Sequence, residues 1–204
     1  MGENRGWVAV VDDEASVRKA LSRVLRSAEY AVDTFATAEE FFSAKSAEGP
    51  KCAILDLAMP GIGGLEIQAR IVAEKLDYGV VFLTGRGDIR SSVDAMKLGA
   101  VYFLTKPVDD ALLFAAVDEA LAQQSIELAD RNRVADVRAR FSELTNRERE
   151  VLELIVTGKL NKQIAAELGI SEKTVKAHRA QVMRKTHSGS LAMLVRLHMA
   201  LQTE

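Results

Sequence analysis

Along the first 120 residues, short runs rich in β-branched and aromatic residues alternate with longer stretches in which apolar positions recur every three or four residues. The short runs, 7–11, 31–35, 52–55, 80–84 and 101–104, predict strands. The longer ones, near 15–27, 37–44, 64–74, 89–98 and onward from Asp109, predict helices, and Thr37 followed by Glu40 is a capping-box signature at the start of the second. Five βα units in succession imply a five-stranded parallel sheet with helices on both faces, a doubly wound, flavodoxin-like α/β domain.

Beyond Asp109 the pattern becomes purely helical. Leu112, Leu113, Ala116, Val117, Ala120 and Leu121 form an apolar stripe, and the polar stretch that follows, to Arg140, holds neither Gly nor Pro. Good helix formers of mixed charge predict a last helix that runs on as a connector over 122–140. Val134, Val137 and Phe141 offer an apolar edge to a partner helix, over too few heptads for a coiled coil. From 141 to 204 only helix signals occur. Thr145 and Glu148 form a second capping box ahead of Val151, Leu152, Leu154 and Ile155; Gly158 ends that stripe, and Asn161 is expected to cap a helix over 162–168. Gly169 permits a sharp turn and Ser171 caps the next helix, so 164–175 reads as helix, turn, helix, a unit whose second helix enters a DNA major groove. The expected division is 1–121, an α/β domain; 122–140, a helical linker; and 141–204, a small all-α domain.

A length of 204 residues, 48% hydrophobic and 27% charged, suits two ordinary globular domains. No apolar run approaches the ~18 residues that span a bilayer, and the start shows no signal-peptide pattern, so a cytoplasmic protein with no membrane partner is expected. The single cysteine, Cys52, reads as core, which sets aside disulfide and thiolate-zinc chemistry. His178, His187 and His198 lack acidic or cysteine partners at ligand spacing and read as polar surface or phosphate contacts. The net charge of −2 conceals an asymmetry: residues 1–124 hold 13 Lys/Arg against 19 Asp/Glu, and residues 141–204 hold 10 against 7. An acidic front and a basic back suit different partners, the second a polyanion.

Parallel sheets place their sites at the carboxyl ends of the strands. There this sequence supplies Asp12, Asp13 and Glu14, then Asp56, then Thr84, then Lys106 and Pro107. Three close carboxylates repel unless a cation neutralises them, and hard oxygen ligands suit magnesium. A carboxylate beside that ion can act as nucleophile toward a phosphoryl group, with Thr84 and Lys106 holding the phosphoryl oxygens.

The segments Val11-Asp12-Asp13-Glu14, Asp56-Leu57-Ala58-Met59-Pro60-Gly61-Ile62-Gly63-Gly64, Leu83-Thr84-Gly85 and Lys106-Pro107 resemble the receiver domain of two-component response regulators, over residues 7 to about 121. The resemblance implies that Asp56 accepts a phosphoryl group from a sensor histidine kinase, with catalysis limited to that transfer and its slow hydrolysis. It implies further that Asp13 binds Mg2+ directly, Asp12 through water, and Ala58 through its backbone carbonyl. Thr84 and Lys106 would contact the phosphoryl oxygens, Phe103 takes the switch-aromatic position, and the Lys106–Pro107 bond is expected to be cis.

In the second helix of the helix-turn-helix, Lys173, Lys176, Ala177, Ala180 and Arg184 share one face, with Val175 and Val182 opposite. The alanines let the backbone approach the groove floor, Lys176 and Arg184 reach acceptors, and Arg179 on the flank favours phosphate. Together with Leu144-Thr145-Asn146-Arg147-Glu148-Arg149-Glu150 and Thr174-Val175-Lys176-Ala177-His178, this segment resembles the LuxR-type output domain. Its pairing with this receiver resembles the FixJ/NarL class, and 84–88 leans toward FixJ. The resemblance implies a transcription regulator that binds double-stranded promoter DNA, with RNA polymerase as a further partner. Phosphorylation would pair protomers as a homodimer through a surface that includes Met96, Leu98, Leu112 and Leu113; the rival account has the acidic receiver cover the basic domain until phosphorylation releases it. The competing class is a magnesium-dependent phosphohydrolase. Haloacid-dehalogenase-like enzymes, however, place nucleophile and acid two apart after strand one, whereas here the acids are adjacent and the candidate nucleophile follows strand three.

Overall fold

The computed structural model describes residues 5–45, 48–85 and 102–202; the predicted helix near 89–98, with Met96 and Leu98, and the first residue of the predicted strand 101–104 lie outside them. The chain forms two compact units, 1–128 and 129–204.

The first unit runs β1 (Trp7–Val11), α1 (Ala15–Ser27), β2 (Ala31–Phe35), α2 (Ala38–Ser43), β3 (Lys51–Asp56), α3 (Gly64–Ala73), β4 (Gly79–Thr84), β5 (Tyr102–Thr105) and the first half of α4 (Asp110–Ser142). The strands form one parallel sheet in the order β2-β1-β3-β4-β5. The inner strands β1, β3 and β4 read as nearly unbroken apolar runs because both their faces are covered, whereas β2 and β5 at the edges are partly exposed. Val8, Val10, Ile54, Val81 and Leu83 meet Leu21 and Leu25 of α1 and Leu113 and Val117 of α4 on one side. Ala9, Val11, Leu55 and Phe82 meet Phe41 of α2 and Ile67 and Ile71 of α3 on the other. Cys52 is buried in the first of these clusters. Leu113, expected on a pairing surface, is instead fully buried there, whereas Leu112 is exposed. The two are adjacent on a helix whose stripe falls on Leu113, Ala116, Val117 and Ala120, so Leu112 turns outward. Helix α4 continues for 33 residues, through the predicted connector.

The second unit contains the rest of α4 with α5 (Asn146–Val156), α6 (Asn161–Leu168), α7 (Glu172–Lys185) and α8 (Leu191–Gln202). Val151, Leu152, Ile155, Ile164, Val175, Val182 and Leu194 form its core. The Thr145 box is complete: Glu148 N–H donates to Thr145 Oγ1 at 3.3 Å and Thr145 N–H to Glu148 Oε2 at 2.8 Å. Asn161 does not cap α6. It is the first helical residue, and Leu160 holds the cap position, its N–H donating to Gln163 Oε1 at 2.8 Å. A side chain three residues on thus does what Asn161 was expected to do. His198 is buried rather than on the polar surface, with its ring stacked 6.3 Å from Phe141. No described helix is long and apolar enough to cross a membrane.

Candidate functional site

The register Val11 to Leu55, Asp56 to Leu83 and Thr84 to Thr105 brings four strand ends level along one rim. Asp12 and Asp13 leave β1, Asp56 closes β3, Thr84 closes β4 and Lys106 follows β5. Asp12, Asp13 and Asp56 each offer a carboxylate oxygen within 4.8 Å of the others'. Asp12 and Asp56 are buried, Asp13 is exposed, and Thr84 is 2% exposed.

Lys106 Nζ bridges the two buried carboxylates, 2.6 Å from Asp12 Oδ2 and 3.1 Å from Asp56 Oδ2, with Glu14 at 4.0 Å. Burial pulls the Lys106 pKa down, but the hydrogen bonds and charges of Asp12 and Asp56 outweigh it, and the net shift is upward. The ammonium stays charged through the physiological range. Carboxylates outnumber the one ammonium at the cluster, an excess of acid that a divalent cation would offset. The oxygens are hard donors, as Mg2+ requires.

The two aspartates of the pair differ in what remains free. Asp12 accepts from Glu14 N–H at 2.9 Å through Oδ1 and from Lys106 through Oδ2, so both oxygens are engaged. The Asp13 carboxylate makes no hydrogen bond among the described residues. Arg18 Nη1 donates to the Asp12 and Asp13 carbonyls at 2.6 and 2.9 Å and fixes the backbone of the pair. Ala58 lies in the β3–α3 loop, its N–H 3.4 Å from Asp56 Oδ1. The Lys106–Pro107 bond is cis, and Lys106 N–H donates to the Thr84 carbonyl at 2.7 Å. Phe103 is half-buried and packs toward Phe82 with ring centroids 6.3 Å apart.

Gly64 lets α3 start hard against the end of β3. A Cβ there would fall inside contact distance of the Asp56 carbonyl oxygen. Gly64→Ala should therefore destabilise the receiver by about 1–3 kcal/mol, the usual cost of overpacking. Trp7 is the chain's one tryptophan and is buried in this unit, so urea unfolding followed by its fluorescence reads the effect directly.

On α7, Ser171 accepts from Thr174 N–H at 3.1 Å and so starts the helix after the left-handed Gly169. Val175 and Val182 are fully buried. Lys173, Thr174, Lys176, Ala177, Ala180 and Arg184 are exposed and Arg179 is half-buried. The Thr174 hydroxyl shares a hydrogen bond with Ser171, and Arg184 donates to Gln181 Oε1 at 2.9 and 3.1 Å.

Residues 8–118 match the response regulator receiver domain model, and residues 142–198 match that of bacterial regulatory proteins, luxR family. The transcriptional regulatory protein FixJ of Bradyrhizobium diazoefficiens is 38% identical over 96% of this chain and 95% of its own. The response regulator protein TodT of Pseudomonas putida is 36% identical over 97% and 87%. The solved structure of the response regulator StyR superposes with a TM-score of 0.85 at 42% identity, over 96% of this chain and 98% of that one. The chain belongs to the response-regulator family, in its FixJ/NarL class. It is a phosphorylation-switched, DNA-binding transcription regulator, whose receiver and output domains imply a histidine kinase and DNA as partners.

Sequence reading missed one contact that shapes this regulator's output domain. Glu148, read as a cap, is buried and accepts from Lys185 Nζ at 2.7 Å; the same ammonium donates to the Glu143 carbonyl at 3.1 Å. Its neighbour Arg147 donates to the Leu168 carbonyl, the last residue of α6, at 2.6 Å. The first turn of α5 thereby holds both helices of the helix-turn-helix. A basic residue in the last turn of a helix is an ordinary companion of the helix dipole, so nothing local distinguished Lys185.

Proposed function

We propose that Asp56 is the phosphoacceptor of a receiver spanning 1–121, that 122–140 is a helical connector, and that 141–204 reads promoter DNA through α7. The convergence of Asp12, Asp13, Asp56, Thr84 and Lys106 on one rim carries the reading. An Asp56 carboxylate oxygen attacks phosphorus, the bond from phosphorus to the donor's nitrogen or oxygen breaks, and its electron pair leaves with the donor. Lys106 withdraws from bridging Asp12 and Asp56 to a phosphoryl oxygen, and Thr84 donates its hydroxyl to another. Both steps belong to the receiver itself, so small acyl phosphates serve as well as a kinase. Mg2+ would be held directly by Asp13, Asp56 and the Ala58 carbonyl and through water by Asp12, whose oxygens are engaged; it would neutralise charge on the transferring group. The switch then passes through Thr84 to Phe103.

Such a switch pairs protomers and places two α7 helices on half-sites about one helical turn apart. The protein then works in the cytoplasm, with RNA polymerase as its downstream contact. The test is DNA affinity of the full chain with and without Mg2+ and a small acyl phosphate, alongside sedimentation of both forms. Tighter binding with dimer formation is expected. A phosphorylated protein that stays monomeric while isolated 141–204 binds better than the unphosphorylated whole would favour release instead. Replacing Lys176 should cost about 1–3 kcal/mol and relax preference at one base position, whereas replacing Arg179 should weaken all sequences alike. Competition with altered operators distinguishes them, and equal loss on every sequence for both would leave phosphate contacts only.

A further inference from the structure

The receiver is acidic overall, yet its α1 carries four cations and no carboxylate. They fall with helical period. Arg18, Lys19, Ser22, Arg23 and Arg26 line an open groove of about 480 Å³ bordered by Thr34 near the end of β2. The opposite face of the helix, with Leu21 and Leu25, is core. Within the stripe Lys19 and Arg23 stand four apart and Arg23 and Arg26 three apart, spacings at which like charges repel. Arg18 and Lys19 also sit toward the positive end of the helix dipole, where cations are disfavoured. Two of the four are tied to the backbone: Arg18 to the Asp12 and Asp13 carbonyls, and Arg26 Nη2 to the Val32 carbonyl at 2.7 Å. Lys19 and Arg23 have no hydrogen bond or ion pair among the described residues. The arrangement therefore combines two anchored guanidinium forks, two cations without partners among the described residues and two hydroxyls in a cleft of ligand size, with no acid among its described lining residues.

We infer that the α1–β2 groove is a site for an oligophosphate anion, borne by a nucleotide or by an inorganic polyphosphate. A multiply charged phosphate chain relieves the repulsion along α1, and planar guanidinium groups match its oxygens two at a time. Arg18 would feel the occupant at one edge of its guanidinium while it holds the Asp12–Asp13 backbone at the other.

Equilibrium dialysis of the full, unphosphorylated chain against tripolyphosphate and against ATP, without divalent cation or phosphodonor, tests the inference independently of any role for Asp56. Lys19→Glu with Arg23→Glu should weaken binding at least tenfold. Lys176→Glu with Arg184→Glu, on the output domain, should leave it unchanged. Lys19→Glu suits the amino-terminal half of α1 and Arg23→Glu lies just past its middle, and circular dichroism checks that the helix survives both. In the unaltered protein the amides of Ser22 and Thr34 should shift on titration. Equal binding of both ligands points to the phosphate chain alone as the recognised group, and preference for ATP points to a nucleotide. Binding that survives the α1 substitutions, binding lost with the output substitutions instead, or capture of duplex DNA by α1 with no oligophosphate binding overturns the site.

Discussion

Asp56→Asn abolishes phosphoryl uptake, while the unaltered chain gains the mass of one phosphoryl group on incubation with a small acyl phosphate and Mg2+. The expected loss is complete, because the amide oxygen is not a nucleophile of the carboxylate's kind and no other acid occupies its place. Asp12 has both oxygens engaged, by Glu14 N–H and Lys106 Nζ, and Asp13 is exposed at the edge of the cluster. Asp56 is buried with one oxygen 3.1 Å from the Lys106 ammonium, in a position to be relieved of charge as the new bond forms. Intact-mass measurement decides the matter, and undiminished labelling of Asp56→Asn would remove the assignment. Chelation of the metal should suppress labelling too, since the residual charge of the three carboxylates would then repel the donor.

Glu148→Gln is expected to destabilise the output domain by roughly 2 kcal/mol, between the values usual for exposed and for buried ion pairs. Glutamine at this position still accepts from Thr145 N–H, so the substitution spares the cap and removes only the charge facing Lys185. The pair also predicts a pH dependence. The hydrogen bond from Lys185 holds the Glu148 carboxyl below its ordinary value of 4.5; burial opposes that shift, and the contacts with Thr145 assist it. A depressed folded-state pKa contributes stability that is full above the unfolded value and is lost as the pH falls through the folded one. Thermal unfolding by far-UV circular dichroism, with Trp7 fluorescence marking the receiver's own transition, should show the output domain weakening below about pH 4.5, and Glu148→Gln should flatten that part of the profile. An unchanged profile would mean that the Lys185 contact contributes nothing.

The first two strands and α1 occupy the residues that their hydrophobic pattern marks; β3 extends a residue beyond its pattern at each end, β4 begins a residue earlier and β5 ends a residue later. Strand burial on two faces and helix caps are local signals, carried by neighbours within four residues. Asp12, Asp56, Thr84 and Lys106 were legible because strand ends converge in any doubly wound sheet, whatever the side chains between them. What escaped was set by packing across long sequence separations. Lys185 finds Glu148 across 37 residues, His198 is buried against Phe141, and Leu113 rather than Leu112 faces the sheet. Asn161 lost its expected place to a competitor of the same local kind, Gln163, whose longer side chain reaches back to the preceding turn.

The stacking of Phe141 on His198 bears on how the protein can be dissected. Residue 142, where the match to the luxR family begins, follows that ring by one position, and the Glu143 carbonyl that accepts from Lys185 comes one residue later. A fragment begun at 142 would expose one face of His198 and set a charged amino terminus beside the anchor of α7. Weak DNA binding by such a fragment would then report an injury at the cut and be mistaken for a need for the receiver. Beginning instead at Ala129 keeps the ring, the carbonyl and the last turns of α4 that carry them.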